Sequence, residues 1–231
     1  MKTIGLIGGM SWESTQTYYR LINEGVREKL GGLHSAEIIM RSIDFAPMEV
    51  LQRERRWDES AEFLTDIAVT LQNAGAGLIL ICTNTMHVVA DRVAASLSVP
   101  LLHIADAAGQ ELARAGIHRV GLLGTRFTMT MDFYKGRLKD RFNIDVLVPE
   151  EADRNYIDNG IYNELCLGKL LPESRKEFQR VIRGLAKSGA KGVVLGCTEI
   201  PLLIRPGDTD IPIFDTTELH AKAAVTTALE D

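Results

Sequence analysis

One segment of this chain is written twice. Gly75-Ala76-Gly77-Leu78-Ile79-Leu80-Ile81-Cys82-Thr83 is echoed by Gly189-Ala190-Lys191-Gly192-Val193-Val194-Leu195-Gly196-Cys197. In each copy a Gly-Ala pair closes a helical pattern and an apolar strand follows. A small protic side chain then stands eight positions after the glycine, Thr83 in one copy and Cys197 in the other. Three more blocks repeat in the same order. Ile4 to Gly9 matches Val120 to Thr125 at an offset of 116, Ser60 to Asn73 matches Ser174 to Lys187 at 114, and Val99 to His103 matches Ile211 to Asp215 at 112. Four ordered blocks whose offset drifts by only four residues argue for duplication. Two copies are too few for a solenoid.

Short apolar strands alternate with helical patterns, which predicts parallel α/β structure. Strands are expected over 3–7, 37–42, 78–82, 99–102, 120–125, 193–195 and 211–215, and helices over 14–29, 60–73, 91–97 and 174–187. The fold class is therefore α/β, with two pseudo-symmetric lobes, each a mostly parallel sheet flanked by helices. The expected division is 1–98 plus 209–231 for the first lobe and 99–208 for the second. No low-complexity segment separates them, so a cleft with the active site inside it is expected between the two.

Composition removes several function classes. Hydrophobic residues make up 45% of 231, enough for a buried core. The net charge is −5 and the basic residues are scattered, which leaves no electrostatic footprint for nucleic acid. The longest apolar run, Leu78 to Cys82, cannot span a bilayer, and Thr3 to Gly9 is too short for a secretory core and reads as a strand. Cys82, Cys166 and Cys197 form no CxxC pair and no metal-ligand spacing. Free thiols in a reducing cytoplasm are the expectation, with no metal and no membrane partner.

Ligands in parallel sheets bind beyond the carboxyl ends of strands, which singles out two turns. Cys197-Thr198-Glu199 follows the strand 193–195. N–H groups opening the next helix would favour an anion there and lower a thiol pKa; the same turn also suits a cysteine packed as a small hydrophobe. Thr83-Asn84-Thr85 occupies the matching turn, where capping chemistry is equally natural. Successive strand side chains face opposite ways, so Cys82 and Thr83 cannot both face a ligand. The repeat register pairs Thr83 with Cys197 and sends Cys82 to the core. Gly8-Gly9-Met10-Ser11 and Gly124-Thr125-Arg126 are partner turns that let backbone approach a ligand; neither is a dinucleotide fingerprint. Gln52 and Arg53 lie in a polar stretch that is either a solvated face or a carboxylate contact. His87 and His103 are expected to be structural, Cys166 to be core or cleft wall, and Trp12 and Trp57 to pack between elements.

Gly8-Gly9-Met10-Ser11-Trp12-Glu13-Ser14-Thr15, Cys82-Thr83-Asn84-Thr85-Met86-His87 and Gly196-Cys197-Thr198-Glu199-Ile200-Pro201 together resemble the cofactor-independent aspartate/glutamate racemase family, over the whole length of the chain. The family pattern sets a cysteine directly before Asn-Thr; here Thr83 takes that place and a cysteine stands one position back, as in the family's L-specific branch. The resemblance implies a homodimer with no cofactor and a small acidic amino acid as substrate. It gives the two catalytic positions to Thr83 and Cys197. It gives substrate contacts to Met10 (through its backbone), Gln52, Asn84, Thr85, Thr125 and Thr198. The basic residue that many relatives use for the side-chain carboxylate falls near Cys166 and has no counterpart. In this reading Cys197 deprotonates the L-isomer, Thr83 donates on the other face, and hydrogen-bond donors hold the carbanion's charge. Two rivals are a non-catalytic amino-acid or dicarboxylate receptor and a hydantoin racemase or maleate isomerase type of enzyme.

Overall fold

The structure is a computed structural model and describes residues 1–230. The chain divides into two compact units, Met1–Ile104 with the segment from Thr217 onward, and Ala105–Thr216.

The first unit runs β1 (Ile4–Gly8), α1 (Trp12–Leu30), β2 (Ile38–Ser42), α2 (Phe45–Arg53), α3 (Trp57–Asn73), β3 (Leu78–Ile81), a 3₁₀ turn (Thr85–Val89) leading into α4 (Ala90–Ala94), and β4 (Leu101–Leu102). The four strands are parallel in the order β2-β1-β3-β4. β1 and β3 lie in the middle and are buried along their whole length. That is why they read as unbroken apolar runs rather than alternating ones. The two faces still separate residue by residue. Ile79 and Ile81 pack with Leu64, Ile67 and Leu71 of α3 and Met48 of α2. Leu78, Leu80 and Cys82 pack with Tyr18, Ile22 and Val26 of α1. The same face takes Ala221, Ala224 and Val225 from the C-terminal helix. Ser11 starts α1 by accepting from the Ser14 N–H (3.3 Å).

The second unit runs α5 (Ile104–Arg114), β5 (Arg119–Gly124), α6 (Arg126–Thr130), α7 (Asp132–Phe142), β6 (Asp145–Leu147), α8 (Glu151–Asn163), a 3₁₀ turn (Leu165–Leu167), α9 (Pro172–Lys187), β7 (Val193–Gly196), α10 (Ile200–Leu203) and β8 (Ile213–Asp215); α11 (Thr216–Leu229) then returns to the first unit. Its sheet is again parallel, in the order β6-β5-β7-β8. Leu123, Val193 and Leu195 meet Phe178, Val181, Ile182 and Leu185 of α9 and Ile157 and Ile161 of α8.

The two sheets thus share one topology, the α/β class expected from the sequence. The division falls after Ile104 and Thr216 rather than after residues 98 and 208, because β4 pairs with β3 and β8 with β7. The helix expected over 91–97 is the short α4, Ala90–Ala94, and Gln52 and Arg53 are the last two residues of α2. Trp12 does not pack between elements; it is largely exposed at the start of α1, whereas Trp57 packs partly buried against α3's core. Among the described residues no helix is long and apolar enough to cross a membrane.

Candidate active site

Each unit places its polar turns at the carboxyl edge of its own sheet. In the first unit, β1 ends in Gly8-Gly9. Gly9 has φ +93°, and a Cβ there would fall 2.2 Å from the Ile43 carbonyl oxygen, so only glycine fits. The Gly9 N–H donates to Thr15 Oγ1 (2.8 Å), and Thr15 Oγ1 donates to the Ser11 carbonyl (2.9 Å). Ser14 Oγ donates to the Cys82 carbonyl (3.0 Å), tying the first turn of α1 to the end of β3.

Cys82 is fully buried and its thiol is pushed up by that burial, so it is a core residue and no base. Thr83 is partly exposed; Asn84 and Thr85 are buried and open the 3₁₀ turn. His87 Nδ1 lies 2.8 Å from the Thr83 carbonyl. Met10 is buried in the cluster that also holds Met48 of α2, four residues before the buried Gln52.

The second unit repeats the plan. Gly124 and Gly196 end β5 and β7 side by side, and a Cβ on Gly124 would stand 2.7 Å from the Gly196 carbonyl oxygen. Thr125 caps α6, accepting from the Thr128 N–H (3.3 Å). The Arg126 N–H donates to Asp158 Oδ1 (2.6 Å); burial raises the Asp158 carboxyl against that bond. Cys197 is buried, with Cys166 half-buried against the same cluster.

The unforeseen residue is Glu199. It is 5% exposed, and its Oε2 accepts from both Cys197 Sγ (2.9 Å) and Thr198 Oγ1 (2.8 Å). Burial, then the Glu199 charge, push the Cys197 thiol well above its ordinary range. This corrects the expectation of a depressed thiol. The N–H groups of so short a helix as α10 are outweighed by desolvation and by the carboxylate. The carboxylate in Cys-Thr-Glu was visible in the sequence; that its side chain folds back onto the sulfur was not.

The duplication is legible in sheet register. Ile7 pairs with Ile81, so Gly8 stands level with Cys82, and Gly124 pairs with Gly196. Thr83 and Cys197 are each the next residue after that level, so the two sheets give them equivalent places. Of the expected site residues, Met10, Gln52, Thr83, Asn84 and Thr85 belong to the first unit and Thr125, Cys197 and Thr198 to the second.

The sequence model of the Asp/Glu/Hydantoin racemases matches residues 7–224. The chain belongs to that family. It is 24% identical over 230 residues, 98% of each chain, to the broad specificity amino-acid racemase RacX of Bacillus subtilis (strain 168). Two solved structures cover all of it and are themselves fully covered. One is a candidate Asp/Glu racemase from Yersinia pestis, 50% identical with TM-score 0.94. The other is an aspartate racemase homologue from Pyrococcus horikoshii OT3, 37% identical with TM-score 0.86. Racemases are isomerases, and the hydantoin branch that stood as a rival is part of the same family.

Proposed function

We propose that this racemase-family chain interconverts the L- and D-forms of aspartate and glutamate without a cofactor, with Cys197 as the base toward the L-isomer and Thr83 as the proton donor on the opposite face. The observation that carries the reading is the equivalent register of Thr83 and Cys197 on two copies of one sheet edge, with a carboxylate hydrogen-bonded to the sulfur. One protic group on each copy suits a reaction whose substrate and product are mirror images.

The chemistry balances without an outside reagent. The buried thiol first passes its proton to Glu199, giving a thiolate beside a neutral carboxylic acid. The thiolate takes the α-proton: the Cα–H bond breaks, S–H forms, and the electron pair moves into the α-carboxylate. Donors at the two turns, from Asn84, Thr85, Thr125 and Thr198, with the Met10 backbone and Gln52 holding the substrate, stabilise that charge. The Thr83 hydroxyl then donates to Cα from the other face and regains a proton from solvent. Cys197 keeps the α-proton as its S–H, and Glu199 releases the proton it took to solvent, which balances the one that Thr83 regains. The same reading takes the chain to be a cytoplasmic homodimer.

Incubation with each enantiomer of aspartate and glutamate in deuterated water tests the reading. Deuterium at Cα together with the opposite enantiomer, by chiral chromatography, is the expected result. Binding without exchange would mark a receptor, and exchange confined to a hydantoin would move the chain to that branch of the family.

A further inference from the structure

The first unit holds a cluster of four buried aromatic side chains under the Thr83 turn: Tyr18, His87, His103 and His220, none more than 6% exposed. Their sequence positions are far apart, and the racemase reading uses none of them. Hydrogen-bond partners settle two of the protons. A carbonyl only accepts, so His87 Nδ1 carries its hydrogen and donates to the Thr83 carbonyl (2.8 Å). By the same argument His220 Nε2 donates to the Leu102 carbonyl (3.0 Å), and its bare Nδ1 accepts from Tyr18 Oη (2.9 Å). The His87 ring is wedged edge-on between two others, 4.6 Å from His103 and 5.6 Å from His220 between centroids. Through Leu102 and Tyr18 this wedge is bolted to β4 and α1.

The Thr83 carbonyl has a specific need for that ring. In an α-helix opening there, the backbone N–H four residues on would bond to it. Here the His87 N–H goes instead to the Asn84 carbonyl (3.0 Å), because the turn is 3₁₀. The imidazole on the same residue takes the place of the missing backbone donor. On the other side of the turn, the Thr83 N–H is spent on the Ile81 carbonyl (2.9 Å). Thr83 is thus gripped at both backbone groups.

We infer that His87 is a positioning residue for the racemisation: by holding the Thr83 carbonyl, and itself held by His103 and His220, it fixes the place from which the Thr83 hydroxyl donates. The inference rests on the proposed role of Thr83. A weak acid that cannot be improved chemically depends on placement, and misplacement by about 1 Å costs on the order of 100-fold. The role is confined to one face. The bonds and ring contacts described for His87 run to residues of the unit that carries Thr83, so its loss should leave proton removal from the L-isomer running while delivery to the opposite face fails.

The experiment uses the full chain and L-aspartate in deuterated water. His87→Leu removes the donor; His87→Asn keeps an N–H close to the position of Nδ1. For His87→Leu we expect the D-isomer to form about 10- to 100-fold more slowly, with the ratio of α-deuterated L-isomer to D-isomer rising by the same factor. His87→Asn should recover most of the inversion. Thr83→Val keeps the carbonyl but removes the hydroxyl, so adding His87→Leu to it should slow the reaction no further. Equal loss of exchange and inversion, no recovery in His87→Asn, or effects of the two substitutions that multiply would overturn the role of His87 while leaving the racemase reading intact. A wild-type chain that exchanges no α-proton at all would remove the racemase reading, and this role with it.

Discussion

The two units build the same sheet and finish it with opposite chemistry. After β7 a thiol stands against a carboxylate, both buried, so the protic group has a proton acceptor of its own. After β3 a hydroxyl stands on a turn backed by buried imidazole rings, with a histidine gripping its backbone. One copy is equipped to change the protonation of its side chain; the other is equipped to hold a side chain still. Duplication therefore preserved the scaffold, and the difference lies in what supports the residue at the strand end.

The severest way to break this comparison is to remove the side that titrates. Cys197→Ala leaves the first unit untouched and should reduce both racemisation and α-proton exchange to background, read by proton NMR in deuterated water. Persisting exchange would mean another base is at work. Glu199→Gln comes next and has two signs. Without a carboxylate to take the thiol proton, turnover should fall about 100-fold, within the usual reach of acid–base assistance. The Glu199 charge is also the second cause, after burial, of the raised thiol. The same variant should therefore be alkylated by iodoacetamide at lower pH than wild type. Slower turnover with easier alkylation separates proton acceptance from mere packing; slower turnover with unchanged alkylation would deny the electrostatic coupling.

Thr83→Cys would make the two copies alike and should raise kcat/KM by about 10-fold or more. The gain must be equal for both enantiomers, since they have the same free energy. An initial-rate assay from each side checks it, and a gain in one direction alone would refute two-face transfer.

Where sequence reading reached the molecule, it did so through pattern. The apolar runs of β1, β3, β5 and β7 and the glycines at their ends repeat at nearly constant offset, and the register Gly8–Cys82 against Gly124–Gly196 reproduces that offset in space. Alternation together with the repeat register sends Cys82 to the core, and it is buried there. Where it stopped short, the determinants are non-local. β4 has two residues, and nothing in Leu101-Leu102 says which sheet it joins; pairing with β3 does. Helix α7 buries only Tyr134 and Leu138, too few for an apolar stripe to show among its charges. Glu199 was in plain view, but its grip on Cys197 depends on how one turn folds. The aromatic cluster draws on residues 18, 87, 103 and 220, which no local motif connects.

The mildest test probes the rigid side through acid. Burial first, and the neighbouring His87 second, lower His220 to about 3 against the opposing pull of the Leu102 carbonyl. In the unfolded chain a histidine titrates near 6.5. Above that pH the ring is neutral in both states and adds no pH dependence. Below it only the unfolded chain gains the proton, so stability falls by about 1.4 kcal/mol per pH unit and levels off near pH 3. His220→Gln offers an amide N–H for the Leu102 carbonyl and an oxygen for the tyrosine hydroxyl, and it does not titrate. Urea unfolding at pH 8, 6 and 5 should find the variant modestly weaker than wild type at pH 8, with the gap closing as acid is added. A gap that stays constant would mean that His220 is not the buried neutral ring on which the first unit's turn depends.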